Sequence, residues 1–520
     1  MGSACRTKLA STFFSIIFRM KRVLILCLVM CVSFINAQSK NPLVTSDAKA
    51  QKKWVDKHMK KMTLDEKIGQ LFMVQAYSNL DDKHEKFIIE MIEKYHVGNL
   101  IFMQGTPKKQ AVLNNKYQEL SKLPLLIGFD GEWGLDMRLK NAFRYPWNMT
   151  LGAVTNNQLI EQFGARVGEH CKRLGIHINF APVVDININP KNPIIGNRSF
   201  GENKNNVTDK AIAFTKGMQS VGVLANAKHF PGHGDTASDS HHTLPVVDFN
   251  MKRLDTLELY PYKELFKENL ASVMTAHMSI PKLEPNKKLP SSLSKKIITD
   301  LLIKRMGFKG LIITDGLNMK AAADYSTSSE IDLAAILAGN DMLLIPQDIP
   351  ATVKLFKKAI KKKQLSIKRL DHSVRKILMA KYWAGLHNYQ PVSLENLNEE
   401  LNANKDVLLH RELVKKSITV VKNIKDIVPV QNLNKQKIAY VKFGAAQNKY
   451  FVNMLRNYAK IDIVSGNTTS DLLKKLKPYN LVIIGYHTSN AHPWKGFKFT
   501  KKDIESIQRI AKEKKVILDV

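Results

Sequence analysis

A chain of 520 residues with 44% hydrophobic and 24% charged side chains is long enough for two or three domains with large cores, and is not the composition of a disordered or fibrous polymer. Seventy-nine Lys and Arg against 46 Asp and Glu leave a formal net charge of +33, which suits nucleic acid, an anionic envelope polymer or an acidic membrane surface as partner. The lysines are scattered, and the densest runs, Lys361-Lys362-Lys363 and Lys512 to Lys515, fall in helical or turn contexts without a nucleic-acid motif. The expectation is a solvated basic surface and no nucleic-acid partner.

At the amino end, Met20-Lys21-Arg22 precedes an apolar run from Val23 to Ile35, then Ala37 and polar Gln38-Ser39-Lys40. That order reads as a secretory signal over residues 1–37, too short for a comfortable membrane span, with Met20 a candidate natural start. Its removal would take Cys5, Cys27 and Cys31, leaving Cys171 with no disulfide partner in its own chain. The expected location is exported: periplasmic, envelope-associated or secreted, with no stable membrane span after signal removal.

Thr63-Leu64-Asp65-Glu66 has the pattern of a capping box that opens a helix. From there, short apolar runs alternate with helical patterns. The candidate strands are Leu71–Val74, Gly98–Met103, Leu125–Asp130, Ile178–Asp185, Val223–His229, Ser272–His277, Gly310–Asp315 and Asp341–Pro346. Eight β/α units predict a TIM-type (β/α)8 barrel over residues 46–390. Five of the runs end in, or lead directly into, Asp130, Asp185, His229, His277 and Asp315. Such barrels carry their sites at the carboxyl ends of the strands, so these five predict a pocket. Leu365 to Tyr382 reads as a closing helix and residues 391–406 as a linker. A helix over Val407–Val421 and strands at Ile438–Phe443, Ile461–Val464 and Leu481–Tyr486 predict a smaller α/β domain over residues 407–520. Its last run, Val516 to Val520, reads as a strand cut short.

The densest chemistry lies between Ala227 and Pro245. Lys228-His229-Phe230-Pro231-Gly232-His233-Gly234-Asp235-Thr236 is followed by Asp239-Ser240-His241. A surface loop rich in turn formers is the bland account, and so many titratable groups argue against it. His229 and His233 have the spacing of a helical metal pair, but Pro231 and Gly232 deny the helix that the spacing needs. The alternative is an acid/base dyad: two residues apart, Asp239 can orient the His241 ring and favour its protonated form.

These stretches resemble the β-N-acetylhexosaminidases of glycoside hydrolase family 3. Also similar are Met62-Thr63-Leu64-Asp65-Glu66-Lys67-Ile68-Gly69-Gln70, Asn179-Phe180-Ala181-Pro182-Val183-Val184-Asp185, Val273-Met274-Thr275-Ala276-His277 and Leu311-Ile312-Ile313-Thr314-Asp315. The resemblance spans roughly residues 50–385. It implies retaining release of terminal β-linked N-acetylglucosamine from cell-wall or chitin-type oligosaccharides, with no cofactor and no metal. By the same resemblance Asp315 is the nucleophile and Asp239 with His241 the acid/base dyad. Asp130, Arg198, Lys228, His229 and His277 would hold the sugar in the −1 subsite. The chain departs from the family's Asp-Gln-Glu-Gly-Gly-Arg stretch, reading Asp130-Gly131-Glu132-Trp133-Gly134-Leu135, with an arginine only at Arg138. Phosphorolysis of the same glycosides, in which phosphate replaces water, is the alternative within enzymes. A non-catalytic sugar- or wall-binding protein is the alternative outside them.

Overall fold

A computed structural model describes residues 41–489 and 499–520. The expected export signal over residues 1–37, with Met20, lies outside them. Eight parallel strands form the barrel: β1 (Phe72–Ala76), β2 (Asn99–Phe102), β3 (Leu126–Phe129), β4 (Ile178–Asn179), β5 (Leu224–Phe230), β6 (Ser272–Thr275), β7 (Leu311–Thr314) and β8 (Leu343–Leu344). Neighbours in sequence are neighbours in the sheet from β1 to β7, and β8 pairs back onto β1. A single parallel bridge between Ile313 and Met342 joins β7 to β8 and completes the ring. Strands covered by helices outside and packed side chains inside read as continuous apolar runs, and every residue of β2, β3, β6 and β7 is buried.

The capping box is formed: Glu66 N–H donates to Thr63 Oγ1 at 3.3 Å, and Thr63 N–H donates to the Glu66 carboxylate at 2.9 Å. The expected fourth strand is much shorter than Ile178–Asp185. Its ladder ends at Asn179, and Pro182, three residues on, has no N–H to donate to a continued ladder. Pairing with β5 resumes at Val183 opposite Lys228. β3, β6 and β7 stop one or two residues before Asp130, His277 and Asp315, whereas β5 runs through His229 to Phe230.

Residues 391–406, expected as a linker, form instead a strap docked on the barrel. Leu397 and Leu401 belong to the barrel core. Arg173 donates to the carbonyls of Ser393 and Glu395, both at 2.7 Å. The following helix, Asn404–Ser417, begins with a fully buried Asp406. Asp406 accepts from Tyr145 Oη at 2.6 Å and from Arg166 Nε and Nη2 at 2.6 and 2.9 Å. A charge of such a stretch reads as solvated only while its partner, 240 residues earlier, is unknown.

The second sheet is also parallel, in the order β10-β9-β11-β12, from β9 (Ile438–Phe443), β10 (Ile461–Ile463), β11 (Leu481–Tyr486) and β12 (Lys515–Asp519). Ala439, Val441, Val482 and Ile484 bury on one face, Ile438, Tyr440, Leu481 and Ile483 on the other. No helix of the described residues is long and apolar enough to cross a membrane.

Candidate active site

The carboxyl ends of the strands open on a cavity of about 470 Å³. Its polar lining includes Asp130, Arg138, Arg198, Lys228, His229 and Asp315, and Asp239 and His241 close one side.

At the end of β3 stands a buried network of alternating charge. Lys228 Nζ bonds Asp130 Oδ1 at 2.9 Å and Glu132 Oε1 at 2.8 Å. Arg138 takes the other oxygen of Asp130, and Arg198 Nη2 reaches Glu132 Oε1 at 2.7 Å. Burial opposes ionisation of both acids, but the flanking cations overcome it. Lys228 and Arg138 hold the Asp130 carboxyl well below the usual range, and Arg198 and Lys228 bring Glu132 down to about 2. Hydroxyl groups brought here would meet fixed charges of both signs, which donate and accept without reorganising.

Lys228 and His229 both face the cavity although neighbours on a strand should alternate. The β5–β6 register slips between Ala227 and Phe230, and this irregularity turns both side chains to one end. Asp185 fixes the second of them. Its Oδ2 lies 2.7 Å from His229 Nδ1, while Oδ1 accepts from the backbone N–H of His229 at 3.3 Å and of His233 at 2.6 Å. Arg198 Nη2 approaches His229 Nε2 at 3.3 Å.

Asp315 follows β7, its backbone N–H held by the Thr275 carbonyl at 2.9 Å. The Gly316 N–H donates to its Oδ1 at 2.8 Å. Burial opposes the charge, but His229, His277, this N–H and Lys228 together lower the carboxyl below its ordinary value. Asp315 is therefore an anion at neutral pH.

His277 does not line this cavity, contrary to expectation. It is fully buried, and burial lowers its pKa. A carbonyl only accepts, so Nε2–H donates to Gly316 O at 3.1 Å, and Nδ1 accepts from Ser292 Oγ at 2.6 Å. Both ring nitrogens are thus engaged in holding the backbone after Asp315.

The segment between β5 and the helix Met251–Thr256 brings the dyad to the rim. Gly232 has φ +143°, which favours glycine, and a Cβ on Gly234 would come 2.0 Å from the Ile186 carbonyl oxygen. The chain can thus turn sharply against the β4 loop. Asp239 Oδ1 accepts from the backbone N–H of His241 and from its ring Nδ1, both at 2.8 Å, which leaves Nε2 as the free ring nitrogen. The His241 side chain is 56% exposed, as a group that meets an outside molecule must be.

The structure thus brings Asp130, Arg198, Lys228, His229, Asp239, His241 and Asp315 to one cavity. It adds Arg138 to the lining, and it places Glu132 and Asp185, the latter expected at the pocket, behind Lys228, Arg198 and His229 rather than on the cavity surface. Glu132 stands in the stretch over residues 130–135 that resembles the family and Asp185 ends the expected Ile178–Asp185 run, but their charge partners are remote in sequence. Leu135 is fully buried in a short 3-10 turn, Leu135–Met137, and Arg138 just beyond it carries the cation to Asp130. Among the described residues no cluster of three or more His, Cys, Asp or Glu has a metal-binding arrangement.

The model of the Glycosyl hydrolase family 3 N terminal domain matches residues 63–380. The chain is 33% identical over 369 residues to "Beta-hexosaminidase A" of Pseudoalteromonas piscicida, a match covering 64% of this chain and 61% of that protein. The chain therefore spans less than two thirds of that relative. Among solved structures, a glycoside hydrolase family 3 β-N-acetylglucosaminidase from Paenibacillus sp. str. FPU-7 is 28% identical with a TM-score of 0.71, over 88% of this chain and 90% of that one. A β-glucoside phosphorylase, BglX, shares the fold at a TM-score of 0.76 and 22% identity, over 92% and 89%. With the family's amino-terminal domain matched over most of the barrel, this chain belongs to glycoside hydrolase family 3.

Proposed function

We propose that this protein is a retaining, exo-acting β-N-acetylhexosaminidase that releases terminal N-acetylglucosamine from cell-wall or chitin-type oligosaccharides after export. The supporting observation is that an ionised strand-end carboxylate, Asp315, and a rim imidazole braced by a carboxylate, His241 with Asp239, open on the same cavity. In the first step the Asp315 carboxylate attacks the anomeric carbon and the glycosidic C–O bond breaks. The proton on His241 Nε2 passes to the departing oxygen, and Asp239 stabilises the ring that carries it. In the second step His241 takes a proton from water, whose oxygen displaces Asp315 from the anomeric carbon. Asp130, Lys228, Arg198 and His229 hold the sugar during both steps. The name of the Paenibacillus structure points to N-acetylglucosamine as the sugar.

The test is a fluorinated N-acetylglucosamine-type glycoside that traps the covalent intermediate, followed by peptide mass mapping. Label on the peptide holding Asp315 is the expected result. Label elsewhere moves the nucleophile, and turnover without label points to attack by the substrate's own acetamido oxygen. Faster turnover of aryl β-N-acetylglucosaminide than of aryl β-glucoside is expected, and products analysed with and without phosphate separate hydrolysis from phosphorolysis.

A further inference from the structure

Ser240 stands between the two members of the dyad, and the three side chains divide sharply. Asp239 and His241 are 26% and 56% exposed, whereas Ser240 is buried at 2%. Its hydroxyl lies 3.3 Å from His233 Nε2. Its carbonyl accepts from the Ala321 N–H at 3.2 Å, in the segment that follows Asp315.

His233 is a fixed receptor. Its N–H is held by Asp185 and its carbonyl by Asn192 Nδ2 at 2.8 Å. Thr236 Oγ1 lies 3.0 Å from that carbonyl and 2.6 Å from His233 Nδ1. The carbonyl can only accept, so the Thr236 proton goes to it, and Nδ1–H donates to the threonine oxygen. Nε2 is then a bare acceptor and Ser240 is the donor. Burial pushes the His233 pKa down to about 4, so the ring is neutral through the neutral range and keeps a bare nitrogen to accept with.

We infer that Ser240 is a positioning residue for proton transfer, its bond to His233 fixing the dyad loop against the Asp185 carboxylate that also orients His229. The inference rests on the glycosidase reading above. It follows from the connectivity: His241 reaches the barrel through an exposed loop, and the inward-facing Ser240 ties that loop to both the β5 turn and the segment after Asp315. Loss of one such bond shifts a loop equilibrium by about tenfold.

The experiment compares Ser240→Ala and His241→Ala with the unaltered protein on N-acetylglucosaminides graded from dinitrophenyl to methylumbelliferyl to a disaccharide, with thermal unfolding of each variant. A positioning role predicts that Ser240→Ala loses about tenfold in kcat/KM on the disaccharide and less than about twofold on the dinitrophenyl substrate, a smaller copy of the His241→Ala pattern. Equal losses on every substrate, or none, while His241→Ala remains leaving-group-dependent, would overturn the inference and leave the glycosidase reading standing. A His241→Ala variant with no such dependence overturns the acid/base reading itself, and the role of Ser240 with it.

Discussion

Glu132 and Arg198 meet side by side inside the barrel, with Oε1 2.7 Å from Nη2 and Oε2 3.0 Å from Nε. The glutamate is 1% exposed and also receives Lys228, so one carboxylate compensates two buried cations. Glu132→Gln keeps the shape and removes the charge. Breaking a buried pair on one side typically costs about 3–5 kcal/mol, because the remaining charge stays buried. Denaturant unfolding should register that loss. The KM for aryl N-acetylglucosaminides should rise as well, since Lys228 and Arg198 lose the anion that orients them. A variant as stable as the parent would contradict this account of the network.

Asp332 provides a pH test remote from the cavity. It is 1% exposed and accepts from the Thr352 hydroxyl at 2.6 Å; burial pushes its pKa up to about 7. The folded form thus holds a proton that the unfolded chain releases near pH 4. Its contribution to stability is present below that pH and is lost as pH rises to about 7. Asp332→Asn removes this slope. Relative to the parent, the variant should gain on the order of 2–3 kcal/mol between pH 5 and pH 8, measured by urea unfolding at the two values. A constant difference would refute the assignment.

Tyr145 joins the cavity wall to the strap. Its backbone N–H donates to the Trp133 carbonyl at 3.1 Å, its hydroxyl to Asp406, and Trp133 lines the cavity with its ring 4.3 Å from that of Trp147. Tyr145→Phe should cost roughly 1–2 kcal/mol and perturb the intrinsic tryptophan fluorescence. Unchanged fluorescence would show that the wall is set without the strap.

Gly234→Ala tests the turn that carries the dyad loop. The added methyl meets backbone rather than a movable side chain, so the loop must shift. Activity on unactivated glycosides should fall by at least about tenfold, while the apparent affinity for N-acetylglucosamine, which the proposed function assigns to the strand-end residues, changes little. A larger effect on affinity than on rate would place this turn in sugar binding instead.

The barrel was legible because each strand is a short apolar run that needs nothing beyond its own residues to be recognised. Its polar endings were legible for the same reason. Three things were not. The Ile178–Asp185 run hid an interrupted ladder, since the loss of the Pro182 amide shows only once a partner strand is aligned. The role of His277 depended on Ser292 and the Gly316 carbonyl, 15 and 39 residues away. The strap over residues 391–406 read as a linker because its polar residues look solvated until Arg166, Arg173 and Tyr145 are placed against them.

The docked strap also bears on how this protein can be inherited in pieces. A junction placed where the composition turns polar, near residue 390, would separate Asp406 from the arginine, histidine and tyrosine gathered around it on the barrel. A barrel exchanged between proteins at that point would leave Arg166 without its buried counter-charge, with only the exposed Glu169 to pair it. The module that can be shuffled intact therefore runs through the helix ending at Ser417, and recombination within this architecture should favour crossovers beyond it.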